Sequence, residues 1–343
     1  MTIRDIADIC NVSISTVSRA MNNAPGINAQ TREKILKVVK DLAYVPNNSA
    51  RNLKRLNSHT IAMLIKGYNN PFFQSMLPSF QEEFSGSDYQ FIVHFMREDD
   101  DELFEAEQLV KEKRLRGIIF LGGIVPDPDT VMMRIGVPCV FCSVAGLEND
   151  KKEKFPVVSI DDEKEAERAV DYLCRKGHRR IAMIAGRPDD TTVAMRRLKG
   201  YKNALEKNGI AFDESLIGYM RPDIMEYTEA NGYRTAMDML SAGLDMTAFF
   251  VISDRMAMGV YKAIYDYGKR IPEDYSVIGF DGIEASKYMT PALTTMAQPG
   301  EEMAYSSIGI LMDLIAGKPV KKRIVYTAQL TERSSVRGIL SAL

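Results

Sequence analysis

The chain has 343 residues, 45% apolar and 26% charged, with 23 glycines and 14 prolines. These proportions fit ordinary globular protein and exclude disorder, collagen or coiled coil as descriptions of the whole. No apolar run approaches the roughly 18 residues of a membrane span, and Arg4 and Asp5 stand where a signal peptide would carry its apolar core. A soluble, intracellular protein without a membrane partner is expected. The net charge of −2 is unevenly divided: residues 1–58 carry nine basic and four acidic side chains, a net of +5, which leaves −7 for the rest. That asymmetry suggests a small part that meets a polyanion and a large part with another task.

Ile3, Ile6, Ala7 and Cys10 fall on one face of a short helix. Asn11 follows where a tight turn needs a residue that tolerates the left-handed region. Ser13 is a good N-cap for a second helix over Ile14 to Met21. Its inward face is Val17, Ala20 and Met21, leaving Ile14, Ser15, Ser18 and Arg19 outward. A third helix starts near Asn28 and is expected to bury Ile35, Val38, Val39 and Leu42, with Lys34, Lys37 and Lys40 outside. Together these make a helix-turn-helix module whose second helix can lie in a major groove. The other reading is a packing unit without a ligand. The outward face argues against it, because small polar residues and an Arg replace the usual Glu/Lys mixture.

From Thr60 onward short apolar segments alternate with helical patterns. Ile61–Ile65, Phe91–Phe95, Ile118–Leu121, Val137–Phe141, Val157–Ile160, Ile181–Ala185, Phe249–Ile252 and Val277–Phe280 read as strands. Glu102–Lys113 and Lys164–Arg175, the latter closed by Gly177, read as amphipathic helices. Such alternation implies parallel sheets covered by helices on both faces, with ligands bound outside the carboxyl ends of the strands.

Chemistry-bearing groups are sparse. Four cysteines (Cys10, Cys139, Cys142, Cys174) are too few and scattered for a disulfide framework. Cys139 and Cys142 spell C-x-x-C, but within a strand a separation of three points them to opposite faces. His59, His94 and His178 lie far apart, so no metal is expected. The run Glu98 to Glu102 reads as a solvated helix start, since acids favour that end of a helix. Gly122-Gly123 lacks the spacing of a phosphate-cradling loop. No cofactor is expected, and no catalytic grouping can be argued from spacing, so the chain is not read as an enzyme.

Thr2-Ile3-Arg4-Asp5-Ile6-Ala7, Val12-Ser13-Ile14-Ser15-Thr16-Val17-Ser18-Arg19, Tyr44-Val45-Pro46-Asn47 and Ala50-Arg51-Asn52-Leu53 together resemble the LacI/GalR (lactose-repressor) family of bacterial transcription regulators. Matches continue to Leu330-Thr331-Glu332-Arg333-Ser334-Ser335, so the resemblance covers nearly the whole chain. Asn11 stands where the family usually has Gly. The resemblance implies that Ile14 and Ser15 choose operator bases, with Ile14 on a thymine methyl, and that Arg19 reaches a guanine or a phosphate. Thr16 and Ser18 would hold phosphates, with Thr2, Ser13, Asn47 and Ala50 also at the DNA. Asn47 to Arg55 resembles a hinge helix, poor in helix formers, that orders when two copies pack on DNA. Leu53 would be its minor-groove wedge; otherwise it is an ordinary linker leucine.

The implied fold is a small all-α helix-turn-helix headpiece plus an α/β periplasmic-binding-protein-like body of two doubly wound parallel-sheet subdomains. The expected divisions are a headpiece at 1–46, a hinge at 47–58 and a body at 60–343. The N-subdomain takes 60–160 and 292–322, and the C-subdomain 162–290 and 324–343. Chain crossings are expected near 160–162, 289–294 and 322–327. The cleft residues carried over are Asn70, Phe72 and Phe73, then Arg197, Asp254 and Asp281, with Gly282 where a second acid is usual. Converging Asp and Arg with flat aromatic rings suit a sugar. With no Trp, Phe72, Phe73 and the Tyr219 region are the stacking candidates. Arg221 to Glu226 departs from the family's usual spacing.

The function implied is that of an effector-responsive, sequence-specific DNA-binding regulator, a repressor of sugar or carbohydrate utilisation genes. It would act in the cytoplasm as a homodimer on a palindromic double-stranded operator. Val336 to Leu343 is too short for a leucine-zipper tetramer. One alternative effector is a non-sugar metabolite, a nucleobase or a sugar phosphate. A solute-binding protein would carry a signal peptide and no basic module. A nucleotide-dependent enzyme would carry a glycine loop where this chain has Lys66-Gly67-Tyr68-Asn69-Asn70-Pro71.

Overall fold

The computed structural model describes residues 3–21, 26–42, 59–67, 70–97, 100–124, 128–144, 154–191 and 193–339. Residues 1–58 and 59–343 form two separate compact units.

In the first unit α1 (Ile3–Cys10), α2 (Ile14–Met21) and α3 (Ala29–Asp41) close on a core of Ile6, Ala7, Cys10, Val17, Ala20 and Ile35. Asn11 takes a φ of 55°. Its amide donates to the Asp8 carbonyl (3.1 Å) and that of Val12 to the Ala7 carbonyl (3.0 Å), the paired closure that a left-handed residue after a helix permits. Ser13 Oγ caps α2 by accepting the Thr16 amide at 3.1 Å, and Asn28 Oδ1 accepts the Gln30 amide at the start of α3 at 2.9 Å. Val38 and Val39 pack half-buried on the core. Leu42, expected inside, is 39% exposed. It lies one residue beyond the end of α3, so the helical face no longer fixes its direction.

The second unit contains two six-stranded sheets. The first uses β1 (Thr60–Lys66), β2 (Gln90–Met96), β3 (Gly117–Leu121), β4 (Cys139–Cys142), β5 (Val157–Ile160) and, from far along the chain, β11 (Arg323–Tyr326). Its order is β11-β5-β4-β3-β1-β2, all parallel. The second uses β6 (Ile181–Ala185), β7 (Ile217–Tyr219), β8 (Ala248–Val251), β9 (Ser276–Asp281), β10 (Thr294–Ala297) and β12 (Gln329–Thr331). Its order is β12-β10-β9-β8-β6-β7, with only β12 antiparallel. Both sheets thus repeat one doubly wound order, in which the chain reverses beside the first strand and leaves a crevice at the strand ends. The paired C-x-x-C thiols obey the strand period. Cys139 faces the cluster of Leu64, Phe120 and Phe141, and Cys142 the opposite cluster with Met63 and Val140. Burial pushes the Cys142 thiol up to about 12, so it stays protonated and inert.

Helices cover the sheets: α4 (Pro71–Phe84), α5 (Glu102–Lys113), α6 (Pro128–Ile135) and α11 (Gly300–Ile315) on the first, and α7 (Asp162–Arg175), α8 (Val193–Lys207), α9 (Glu229–Ser241) and α10 (Asp254–Asp266) on the second. Asp101 caps α5, accepting the Leu103 and Phe104 amides at 2.9 Å each, which accounts for the described end of the acidic run. The chain crosses between sheets three times, at 160–162, at 297–300 and at 326–329. The second crossing lies later than the expected 289–294. Thr294–Ala297 pairs with β9 as an interior strand of the second sheet, and the chain leaves only after it. Likewise Arg323–Tyr326 pairs with β5, which keeps it on the first sheet.

α7 and α8 meet closely because Gly200 has no side chain; a Cβ there would collide with the Glu163 carbonyl and lie 2.8 Å from the Glu167 amide nitrogen. Gly309 in α11 has nothing within 4 Å of the same position. Gly200→Ala is expected to destabilise the body by about 1–3 kcal/mol through overpacking. Gly309→Ala should stabilise it by about 0.5–1 kcal/mol through helix propensity. Urea unfolding followed by circular dichroism measures both, and equal effects would contradict the close approach.

Candidate functional site

In the headpiece, α2 offers a distinctive outer face. Ser13, Ser15 and Arg19 are exposed, Thr16 and Ser18 are half-buried, and Ile14 is 41% exposed. The hydroxyls are linked: Ser13 Oγ lies 2.7 Å from Ser15 Oγ and 2.8 Å from Thr16 Oγ1. α2 carries no acid, and Arg19 sits in its last turn. A helix start that carries hydroxyls suits phosphate oxygens. One exposed isoleucine and one guanidinium suit a methyl group and a guanine edge. Thr2, Asn47, Ala50 and Leu53 lie outside the described residues, as does the whole segment 47–58.

In the body, the carboxyl ends of both sheets open on a cavity of about 520 Å³. Asn70 begins α4, its Oδ1 accepting the Phe72 amide at 2.9 Å, and thereby places Phe72 and Phe73 at the wall. Phe72 is mostly consumed by the core, at 3% exposed. Phe73 lies over Gly122, where a Cβ would come within 2.6 Å of its ring. The glycine pair after β3 therefore makes room for an aromatic wall. On the other side Arg197, Asp281 and Tyr227 line the cavity, and Gln298, on the second crossing, closes it.

Arg197 is the most heavily engaged of these. Its Nε and Nη2 donate to Asp162 Oδ1 at 2.9 and 2.8 Å. Its Nη1 donates to the Ile252 carbonyl and stands 3.5 Å from Asp281 Oδ1. The guanidinium stacks 3.7 Å from the centre of the Phe280 ring. The family pattern has it fork onto a ligand, but most of its donors are already taken. Asp281 in turn accepts Gln298 Nε2 at 2.9 Å, while Gln298 Oε1 is buried with no hydrogen-bond partner among the described residues. That buried acceptor, on a residue of the cavity wall, is a feature which sequence reasoning misses. Burial, offset in part by Arg197, pushes the Asp281 carboxyl up to about 6.

Asp254 does not reach the cavity. It is fully buried and binds the turn after β9, accepting the Gly282 and Ile283 amides at 2.8 and 2.9 Å and Thr295 Oγ1 at 2.6 Å. Ser253, one residue earlier, is the cap of α10. Burial and the Asp281 charge push the Asp254 carboxyl up to about 8. Gly282, which replaces an acid, has φ 78°, and a Cβ there would lie 2.5 Å from Ala297 Cβ. The backbone at the second crossing leaves no room for a side chain. Tyr219 also lies away from the cavity, donating to Glu214 Oε1 at 2.8 Å. The aromatic that lines it is Tyr227, in the left-handed region at φ 53° with its hydroxyl on Asp190 Oδ2 at 2.9 Å. The irregular stretch before it, whose spacing is already unusual in the sequence, supplies Met225 and Glu226 to the same wall. Buried Asn231 fixes that loop, accepting the Arg221 amide at 2.9 Å and donating to the Arg221 and Ile224 carbonyls at 3.1 and 3.2 Å.

The remaining cations of the wall are paired. Lys66 meets Glu102 at 3.0 Å, both nearly buried. Arg187 meets Glu226 at 2.9 Å and Asp189 at 3.5 Å. Arg255 meets Glu229 at 2.9 Å, and Arg97 meets Asp100 at 3.0 Å. Among the described residues no group of His, Cys, Asp and Glu could hold a metal ion, and no helix is long and apolar enough to cross a membrane.

A headpiece built to meet DNA and a body built around a ligand cavity define a ligand-responsive DNA-binding regulator. Residues 2–47 match the family described as bacterial regulatory proteins, lacI family, and residues 170–336 match the periplasmic binding protein-like domain. The chain belongs to the lacI family. It is 38% identical to the HTH-type transcriptional regulator MalR of Clostridium butyricum, over 99% of this chain and 100% of that one. It is 31% identical to the ribose operon repressor of Escherichia coli K12, over 97% and 99% of the two chains. Among solved structures, a lac repressor dimer bound to operator and an anti-inducer superposes with a TM-score of 0.78 at 26% identity, covering 98% of this chain and 99% of that one. A CelR–cellobiose complex gives 0.70 at 27% identity over the same shares. The protein is a DNA-binding transcription regulator and not an enzyme.

Arg197→Met would leave Asp162 and Asp281 buried without their cation, a loss expected to cost about 3–5 kcal/mol at pH 8. Both carboxyls are already raised by burial, and the variant raises them further. An acid held above its unfolded value destabilises the fold above its folded pKa and ceases to do so as pH falls through it. The penalty should therefore shrink toward pH 5 in urea unfolding. A pH-independent penalty would mean that the pair carries no buried charge.

Proposed function

We propose that the protein is a cytoplasmic repressor of carbohydrate-utilisation genes that binds a palindromic operator as a homodimer and takes a sugar in the body cavity. The observation that carries the ligand half is the composition of the wall. Gln298, whose Oε1 has no partner among the described residues, the Asp281 carboxylate and the Asn70 side chain line the same cavity as the aromatic rings of Phe73 and Tyr227. Vicinal hydroxyls donate to such acceptors while the apolar face of a sugar ring packs on aromatic carbon. MalR, the ribose operon repressor and the CelR–cellobiose complex support the reading by name.

The mechanism rests on position. The cavity takes residues from both lobes and from the second crossing, so a ligand has a different contact free energy at each interlobe angle. It therefore shifts that equilibrium. In a homodimer the same angle sets how the two headpieces reach successive major grooves. Operator and ligand are then linked, each altering the other's affinity by the same factor.

For the DNA half, Ile14 and Ser15 are the base-reading positions, and Arg19, Thr16, Ser18 and Ser13 the anchors. Thr2 and the hinge residues Asn47, Ala50 and Leu53 complete the set. Arg19→Ala should weaken operator binding by about 1–3 kcal/mol with unchanged folding of the headpiece. Leu53→Ala should weaken specific binding far more than binding to random duplex. Fluorescence anisotropy on both DNAs at physiological salt separates the two variants. Unchanged operator affinity for Arg19→Ala would refute the docking of α2.

A further inference from the structure

We infer that the cavity selects an uncharged saccharide larger than one ring and rejects its phosphorylated form. This rests on the sugar reading above and concerns charge and size only. Among the described residues five cations line the cavity, and each meets at least one carboxylate within 4.0 Å. The carboxylates that contact them include Glu102, Asp100, Glu226, Asp189, Asp162, Asp281 and Glu229. Among the described residues the wall therefore offers no surplus positive charge, and an entering phosphate would have to displace a carboxylate already in place.

The most buried of these pairs are also the least free to rearrange. Glu102 Oε1 accepts the Ile124 amide at 3.0 Å while it holds Lys66, so releasing Lys66 would unpin the loop after β3. Arg197 is fixed on three sides by Asp162, the Ile252 carbonyl and the Phe280 ring. Arg187 is the looser case, 45% exposed, with Glu226 beside it on the cavity wall. Glu226 thus acts as the charge guard of the site. Size points the same way. A space of about 520 Å³ is many times the roughly 10–15 Å³ that one water requires on the same measure, and a single pyranose would leave much of it to solvent.

The test is isothermal titration of the full chain with maltose, cellobiose, lactose, sucrose and trehalose. Glucose and ribose serve as single rings, and glucose 6-phosphate and maltose 6′-phosphate as anions. At least one disaccharide is expected to bind at least tenfold more tightly than either single ring and than either phosphate. Glu226→Gln, which leaves Arg187 only the longer contact to Asp189 at 3.5 Å, is expected to tighten maltose 6′-phosphate at least fivefold relative to maltose, with operator binding reporting that the variant is folded. A phosphate preferred by the unaltered protein, a single ring preferred to every disaccharide, or no disaccharide bound at all would overturn the inference. So would a folded Glu226→Gln protein whose preference between maltose and its phosphate is unchanged. A protein that binds operator and no disaccharide contradicts this inference alone, whereas one that binds no operator contradicts the reading beneath it.

Discussion

A buried guanidinium must keep its carboxylates, and in this protein that requirement ties the ligand cavity to the places where the chain passes between lobes. Arg197 faces the cavity, yet it is held by Asp162, directly after the first crossing, and by Asp281, which in turn holds Gln298 on the second. The first turn of α7 reaches the third crossing as well. Buried Glu165 pairs with Arg168, whose Nη1 donates to the Ala328 carbonyl at 2.9 Å. Burial raises the Glu165 carboxyl, with Arg168 opposing. Removing one partner from such a network costs far more than the network contributes as a whole. A ligand that shifts Arg197 or Gln298 by a fraction of an ångström therefore bears on the crossings between the lobes, because close-packed groups do not absorb small displacements.

The headpiece needs a different physics. Its cations serve a polyanion whose condensed counterions are released on binding, which makes affinity steeply dependent on salt and largely blind to sequence. In the function proposed, sequence enters through the few side chains at the start of α2, which the Ser13 cap and the closure at Asn11 hold in place. Regulation requires only that the two affinities be linked through the angle between the body's lobes.

Much of this is legible from residues alone, for identifiable reasons. The short helices of the headpiece carry their own start and stop signals in Ser13, Asn28 and Asn11, which are local. Strands such as β1, β3, β4, β6 and β8 are buried on both faces and read as largely unbroken apolar runs. Leu42 departs from the helical pattern because α3 stops one residue before it, and periodicity does not mark where a helix stops. The second crossing falls later than the pattern suggests because Thr294–Ala297 becomes a strand only by pairing with β9, a contact local pattern does not encode. Asp254 matches a cleft motif, yet a carboxylate at a strand-to-helix junction can face either the ligand or the neighbouring turn. Here Gly279, lacking a Cβ, leaves space for Asp254 Oδ1, which accepts Thr295 Oγ1, while the turn amides after β9 donate to Oδ2. Tyr227 rather than Tyr219 reaches the cavity because the loop between them is fixed by Asn231, ten residues from the amide it caps.

Regulation of this kind requires linkage between cavity and operator. The direct measurement is the affinity of the purified full chain for an operator it has itself selected from random duplexes, by anisotropy at physiological salt, with and without the tightest-binding saccharide. The reciprocal titration of that saccharide with and without operator completes the cycle. Operator affinity should change by about 5-fold or more, and saccharide affinity by the same factor. Two affinities that are each specific and yet indifferent to one another would contradict it.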